Sequence, residues 1–475
     1  MNASFRHDLL QFPELLQQTA AYAGDFLSRL HEEKVSKPMP AFPAPALPEK
    51  GVGAAAALEL FDNRFGDHLV ANAGPRYFGF VTGGVTPAAL AGDWLTSTID
   101  MNPADRSAVS FHIESDTIAL LRQLFSLPED FLGCFVSGAT MSNFTGLATA
   151  RQWLGVQQGV DVAAEGVGAL KEINILSATP HSSISKALSM LGLGRNALTK
   201  LATLPDREAV DINALKAWIN EHPGQPFIYI ASAGTVNTVD FDDIAALAAL
   251  KKEHPFWLHV DAAFGGFAAV SPRYRHLLNG WEAADSITID AHKWLNVPYD
   301  AAMIFTRHPQ LQQAVFRNEG AAYLGDPAAN FNYINYAPEN SRRLRSLPAW
   351  FSLQAYGAEG YRDMVESNIR LARQLGERLA RSGRFQLLAP VRMCVVCFTL
   401  NHPPRMLAEH VNLFLQQLVK RGIVYVTPTE YKGTPAIRAA LVNWRTTDHD
   451  IDKVMHELES AAAAVSDLSA IIGNN

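Results

Sequence analysis

The chain is poor in cysteine, in basic clusters and in long apolar runs. Three cysteines in 475 residues cannot build a disulfide framework, so a reducing, cytoplasmic setting is expected. Two of them, Cys394 and Cys397, have the spacing of a redox or metal pair. They lie in the apolar run 393–400, where strand positions i and i+3 face opposite ways, and no second pair exists to complete a zinc site. Buried structural thiols are expected instead. No run of Lys and Arg stands out and the formal net charge is −7, which argues against nucleic acid as the main partner. No uncharged apolar stretch reaches the length of a membrane span. The opening residues 1–8 carry no apolar signal core, so no secretory signal is expected. Internal repeats and long low-complexity segments are also missing.

What is present is the composition of a packed protein, with 48% hydrophobic residues, in a chain too long for one small core. Residues 1–72 read as an N-terminal helical arm: a helix-like stretch near 8–33, then five prolines within 37–48 that make an extended connector. Such an arm hints at wrapping a neighbouring chain. Residues 73–360 alternate short apolar strands with helices, the pattern of a mostly parallel α/β sheet. Strands are expected at 134–136, 174–176, 227–231, 257–260, 286–289 and 302–305, and helices near 141–155, 182–192, 212–221 and 242–253. Residues 361–475 change character into a smaller α+β domain. It holds a long helix at 361–382, strands at 395–400 and 436–442, and a last helix from about Asp448.

The chemistry concentrates at the strand ends, where such sheets bind ligands. The run SITIDAHKWLNVPYD at 286–300 sets Lys293 just after an alternating β-branched strand. Upstream, HVDAAFGG at 259–266 is a strand that ends on Asp261. Singly, these read as a surface lysine and a capping aspartate. Together they are two fixed points of a pyridoxal phosphate site, where a lysine holds the aldehyde as a Schiff base and an acid keeps the pyridine nitrogen protonated. The segment SGATMSN at 137–143 follows a strand and opens a helix, so its backbone N–H groups and the Ser137 and Thr140 hydroxyls suit a phosphate, or merely an N-cap. His181 stands at another strand-to-helix junction, where it could stack on a planar ring or act as an acid or base. Gly234 and Thr235 follow the 227–231 strand and could approach a ligand. Asp242 and Asp243 precede a helix and are expected to cap it. Gly192 and Gly194 follow no strand and lack a third glycine, which excludes a dinucleotide-binding loop.

Taken in order, SGATMSN (137–143), PHSS (180–183), AGTVNT (233–238), HVDAAFGG (259–266) and DAHKWL (290–295) make the chain resemble the group II pyridoxal phosphate-dependent amino-acid decarboxylases. These include the aromatic-L-amino-acid, histidine and glutamate decarboxylases, and the resemblance runs from Tyr77 to Arg445. It implies the fold type I, transferase-like α/β architecture and pyridoxal 5'-phosphate as cofactor. By the resemblance Lys293 would carry the cofactor, Asp261 would pair with its ring nitrogen, and His181 and Ala263 would flank the ring. Ala139 and Thr140 would hold the phosphate, and His292 would face the cofactor. The basic stretch SRRLRS at 341–346 matches the one that follows the family's mobile loop. A tyrosine shortly before that stretch returns a proton after carbon dioxide leaves. Tyr333 has the matching spacing, with Tyr323 and Tyr336 as competitors and the run 325–332 as a lid.

Three departures stand out. Asp290 occupies a position near the phosphate that is often asparagine in the family, and a carboxylate there should repel the phosphate unless it turns away or is paired. Met141 replaces an acidic residue, and Val236 replaces a threonine. The resemblance implies an L-amino-acid decarboxylase making an amine, with an aromatic substrate as first choice and a homodimer whose Tyr333 loop reaches the partner's site. A carbon–carbon lyase or an aldehyde-forming enzyme on the same scaffold is the alternative, and a non-catalytic homologue a third. The segment 76–84 is expected to line the substrate pocket, with Arg76 suited to an acidic side chain if it points inward. Arg438 and Asn443 are read as structural, with the substrate carboxylate as the other possibility.

Overall fold

The short apolar runs of the middle of the chain become one seven-stranded sheet in this computed structural model, which describes residues 2–103, 106–318, 331–403 and 406–472. Its strands are β1 (Leu132–Val136), β2 (Ile175–Ser177), β3 (Leu198–Lys200), β4 (Ile228–Ser232), β5 (Trp257–Asp261), β6 (Ser286–Ile289) and β7 (Ala302–Thr306). The order is β1-β7-β6-β5-β4-β2-β3. Only β7 runs against its neighbours, β1 and β6; the remaining pairs are parallel. Strands β4 to β7 are buried along their whole length. Both faces are covered, which is why β4 and β7 read as nearly continuous apolar runs and why the polar side chains of β5 and β6 are buried too. Register brings Ser232, Asp261 and Thr288 side by side at the carboxyl ends of β4, β5 and β6. The expected strand set lacked β3, whose three residues are half-buried or exposed and carry little apolar signal.

A second, antiparallel sheet follows: β8 (Phe385–Leu387), β9 (Val395–Leu400), β10 (Thr427–Tyr431) and β11 (Thr434–Ala440), in the order β10-β11-β9-β8. A separate apolar core lies between this sheet and the helices Leu407–Arg421 and Asp448–Ile472. The helix expected at 361–382 starts earlier, at Ser346, and bends at Gly357, whose φ of 57° is left-handed. Pro348 is tolerated because it sits in the first turn. Cys394 belongs to the large core and Cys397 to a small cluster on the other face of β9, so the two thiols point apart. Both are free and buried, and burial raises both thiols, Cys397 to about 12.

The N-terminal helix-like stretch divides into Ala3–Leu10 and Phe12–Ser28, with Pro13 in the first turn of the second. A third helix, Ala54–Phe65, follows the extended connector. None of the three buries a residue fully, and Phe5, Leu9, Leu10, Phe12, Leu16 and Leu60 stand exposed. Among the described residues, no helix is long and apolar enough to cross a membrane.

Candidate active site

A cavity of about 460 Å³ opens at the carboxyl ends of β4, β5 and β6. Lys293 enters it from the short helix Ala291–Trp294, which follows β6 directly. Its flanking residues Ala291 and Trp294 are fully buried, so the helix is anchored while the amine faces the cavity. The Lys293 ammonium lies 5.4 Å over the Phe264 ring and 3.7 Å from Asp290 Oδ2. The loop before Gly84 packs onto this helix so tightly that a Cβ on Gly83 would stand 1.7 Å from the Lys293 carbonyl oxygen. Phe80 and Val81 of that loop line the cavity at φ of 54° and 59°. A β-branched residue at positive φ is strained, and strain of this kind persists where surrounding packing enforces it.

Asp261 lies at the end of β5. Its Oδ2 accepts from Asn143 Nδ2 at 3.0 Å and its Oδ1 from the Ala263 N–H at 3.2 Å. His181 caps the helix Ser182–Met190: its Nδ1 accepts from the Ser183 N–H at 3.2 Å. Burial lowers the His181 pKa, opposed by the nearby Asp261 carboxylate. His181, Asp261, Ala263, His292 and Lys293 all line the one cavity, with Ala139 and Thr140 at the start of the helix Ala139–Gln157. Ser137 is not among the lining residues, whereas Gly234 and Thr235 are.

Asp290 does not turn away. Its Oδ2 accepts the Ala139 N–H at 3.2 Å and its Oδ1 lies 3.1 Å from His292 Nδ1. The carboxylate thus occupies the helix N-terminus where an anion binds well. Of the other departures, Met141 packs against an apolar cluster, and the Val236 carbonyl accepts from Arg438 Nη1 at 3.0 Å.

Several expected placements change. Arg76 is buried away from the cavity, held by Asp450 and by the carbonyls of Ile423 and His31. Asp243 caps its helix as expected, but Asp242 is buried and accepts the backbone N–H groups of Val210 and Ser232, and burial lifts its pKa to about 6. Asn443 holds the carbonyls of Ala73 and Gly74. Arg438, in contrast, lines the cavity, and its buried Nε has no hydrogen-bond partner. Glu208 also lines the cavity, accepting from the hydroxyls of Thr235 and Thr238. Neither its place nor Asn143's could be read locally, since both act through contacts distant in sequence.

Tyr333 is not in the cavity of its own chain. It is buried in a turn, its hydroxyl 3.2 Å from Ser115 Oγ, its ring between Phe111, Phe331 and the Arg342 guanidinium. Burial raises its pKa. Tyr336 packs its ring on Phe331. Tyr323 and most of the expected lid lie outside the described residues. No tyrosine lines the cavity among the described residues.

This donor set fits a phosphorylated, aldehyde-bearing pyridine. It offers a lysine amine, a carboxylate fixed at a strand end, a histidine ring and a small alanine on the same cavity wall, and a helix N-terminus for an anion. Comparison with known proteins agrees. The sequence profile described as "Pyridoxal-dependent decarboxylase conserved domain" matches residues 67–401. The aromatic-L-amino-acid decarboxylase of Bacillus atrophaeus is 28% identical over 434 residues, covering 89% of this chain and 88% of that one. The crystal structure of Oryza sativa TDC with PLP and tryptamine shares the fold with a TM-score of 0.87 at 20% identity, over 98% of this chain and 99% of that one. So does Rhodiola rosea 4-hydroxyphenylacetaldehyde synthase, with a TM-score of 0.84 at 20% identity over 96% and 99%. Cavity, cofactor chemistry and sequence profile converge: the chain belongs to the pyridoxal-dependent decarboxylase family.

Proposed function

We propose that this enzyme decarboxylates an L-amino acid, with aromatic ones as first candidates, to the amine and carbon dioxide. The observation that supports this most is the convergence of Lys293, Asp261 and His181 on one cavity from three different strand ends. Bound pyridoxal phosphate supplies an electron sink for the pair left behind when carbon dioxide departs. The chain's own residues do the rest. Lys293 would hold the cofactor through its amine. Asp261 would keep the ring nitrogen protonated, and His181 and Ala263 would lie against the ring. Ala139 and Thr140 would hold the phosphate. Arg438, which lines the cavity with Lys293 and His181, is assigned the substrate carboxylate, since a guanidinium pairs well with a carboxylate. The apolar Phe80 and Phe264 side chains suit a ring-bearing substrate. Incubation of cofactor-loaded protein with each common L-amino acid, ornithine and diaminobutyrate, followed by product mass spectrometry, tests the reading. An amine from one substrate supports it; an aldehyde moves the protein to oxidative chemistry, and the absence of any product sinks it.

Asp290 carries a separate expectation. Its carboxylate and a phosphate dianion compete for the same helix N–H groups, and like charges this close repel by several kcal/mol before screening, on the order of 4 kcal/mol at 4 Å. Asp290→Asn should therefore tighten pyridoxal phosphate binding about tenfold, or about 1.4 kcal/mol. Equilibrium dialysis reads this directly. Weaker binding in the variant would mean that Asp290 serves the phosphate through its pairing with His292.

We assign the proton-returning role to Tyr333 of a second copy in a homodimer. Its absence from the cavity of its own chain and the exposed apolar side chains of the N-terminal helices support that arrangement, which requires the 331–336 turn to release a hydroxyl held 3.2 Å from Ser115 Oγ. Tyr333→Phe should lower amine formation about a hundredfold or more. Mixed dimers of Tyr333→Phe and Lys293→Ala chains should regain activity, because one site then has both residues. No regain on mixing would place the donor within its own chain.

A further inference from the structure

Behind the cavity wall runs a chain of polar side chains, buried except for His181 at its end, each within hydrogen-bond distance of the next. Trp257 Nε1 donates to Ser286 Oγ at 3.0 Å. Ser286 Oγ lies 2.8 Å from His259 Nδ1, and His259 Nε2 lies 3.0 Å from Asn143 Oδ1. Asn143 Nδ2 donates to Asp261 Oδ2 at 3.0 Å and to Ser183 Oγ at 3.1 Å. Ser183 Oγ lies 2.8 Å from His181 Nδ1. Trp257, Ser286, His259 and Asn143 are wholly buried, and Ser183 nearly so. Water therefore does not decide the direction of the bonds among these five; at the exposed end, the two Ser183 donors that meet His181 Nδ1 decide it.

The direction follows from what each group can do. An ionised carboxylate only accepts, so Asn143 must turn its NH₂ to Asp261 and its oxygen to His259. The proton of His259 then sits on Nε2. Burial lowers the His259 pKa to about 4, so near neutral pH its Nδ1 is bare and takes the Ser286 proton. At the other end, Ser183 Oγ receives a proton from Asn143 and has one of its own to give. His181 Nδ1 receives it, together with the Ser183 backbone N–H. A ring nitrogen that accepts twice carries no proton, so the proton of neutral His181 is on Nε2, on the opposite edge of the ring.

We propose that Asn143 is a positioning residue that joins two groups of the cofactor site, holding Asp261 as an ionised acceptor and, through Ser183, His181 as a neutral imidazole that offers its Nε2 proton to the cavity. This rests on reading the cavity as the cofactor site. In that role His181 donates a hydrogen bond to a carboxylate or oxyanion in the cavity; it is not a base. The charges that face it are Asp261 and Asp290, which favour protonation, and Lys293 and Arg438, which oppose it.

Long-range ¹H–¹⁵N spectra of ¹⁵N-histidine-labelled, cofactor-free protein read the protonation of each ring nitrogen, with His181→Gln and His259→Gln supplying assignments. The parent chain should show both residues neutral near pH 7 with the proton on Nε2. An imidazolium, or a proton on Nδ1 of His181, overturns the proposal. Asn143→Asp replaces the NH₂ donor by an acceptor, so Ser183 should turn its proton to the new carboxylate. The His181 titration should then rise by about one unit and pyridoxal phosphate affinity should fall about tenfold. Ser183→Ala, a smaller change, should leave His181 as a mixture of tautomers. An unaltered His181 spectrum in both variants reduces Asn143 to a packing role and overturns the proposal. Failure of the parent chain to bind pyridoxal phosphate would instead sink the cofactor-site reading, and the tautomer result would stand apart from it.

Discussion

Lys293→Ala should cut amine formation by at least about a thousandfold, equivalent to roughly 4 kcal/mol of transition-state stabilisation. The substitution removes the amine and the three methylenes that carry it, and leaves the backbone of the short helix unchanged. Ala291 and Trp294, which anchor the same short helix, stay buried, and the Lys293 side chain contributes little to the core. The variant should therefore fold with near-parent thermal stability while losing the chemistry. Borohydride treatment followed by peptide mass spectrometry gives a second reading. In the parent chain it should fix the cofactor to the peptide carrying Lys293, and in the variant to none. Retention of more than about a tenth of the parent rate would mean that another amine does this work.

The second large effect is on stability and arises outside the cavity. Glu114 and Arg342 form an ion pair with both side chains fully buried, with contacts of 2.9 Å from each terminal guanidinium nitrogen. The pair also holds β1: Glu114 accepts the Phe135 N–H and Arg342 donates to the Phe135 carbonyl. Burial works against the Arg342 charge, but Glu114 outweighs it and holds the guanidinium above its ordinary pKa. Glu114→Ala leaves that charge buried without its partner, which typically costs about 3–5 kcal/mol. Because Arg342 lies against the Tyr333 ring, the 331–336 turn should loosen as well. Denaturant unfolding of the variant checks the first point, and chymotryptic cleavage after Phe331, Tyr333 or Tyr336 the second. Glu114→Leu combined with Arg342→Met should recover much of the loss, since an apolar pair leaves no charge stranded. A Glu114→Ala protein within about 1 kcal/mol of the parent would show that water reaches Arg342.

Most of the cavity was legible from local pattern. Each of Asp261, His181 and Lys293 ends or follows an apolar strand, and a parallel sheet delivers such positions to one edge. Local pattern failed where a side chain's partner lies far along the chain. Arg76 looked able to face the pocket, yet Asp450 and two distant carbonyls claim it. Asp242 looked like a cap, yet it ties Val210 to the end of β4. Arg438 looked structural on an ordinary β-strand, and the packing of β11 beside the AGTVNT loop set it in the cavity wall. Strand β3 escaped because three partly exposed residues make no periodic signal.

The sequence by itself determined the sheet, the strand-end positions of the acid and the lysine, the burial of the two spaced cysteines and the family. These follow from periodicity of two and 3.6 residues and from motif order, both properties of neighbouring residues. Only the tertiary structure decided that Asp290 turns into the helix N-terminus, that Tyr333 is buried away from its own cavity, and that Asn143 links Asp261 to His181. Those depend on which side chains meet across elements, and on which donors and acceptors are left once water is excluded, and no local pattern encodes either.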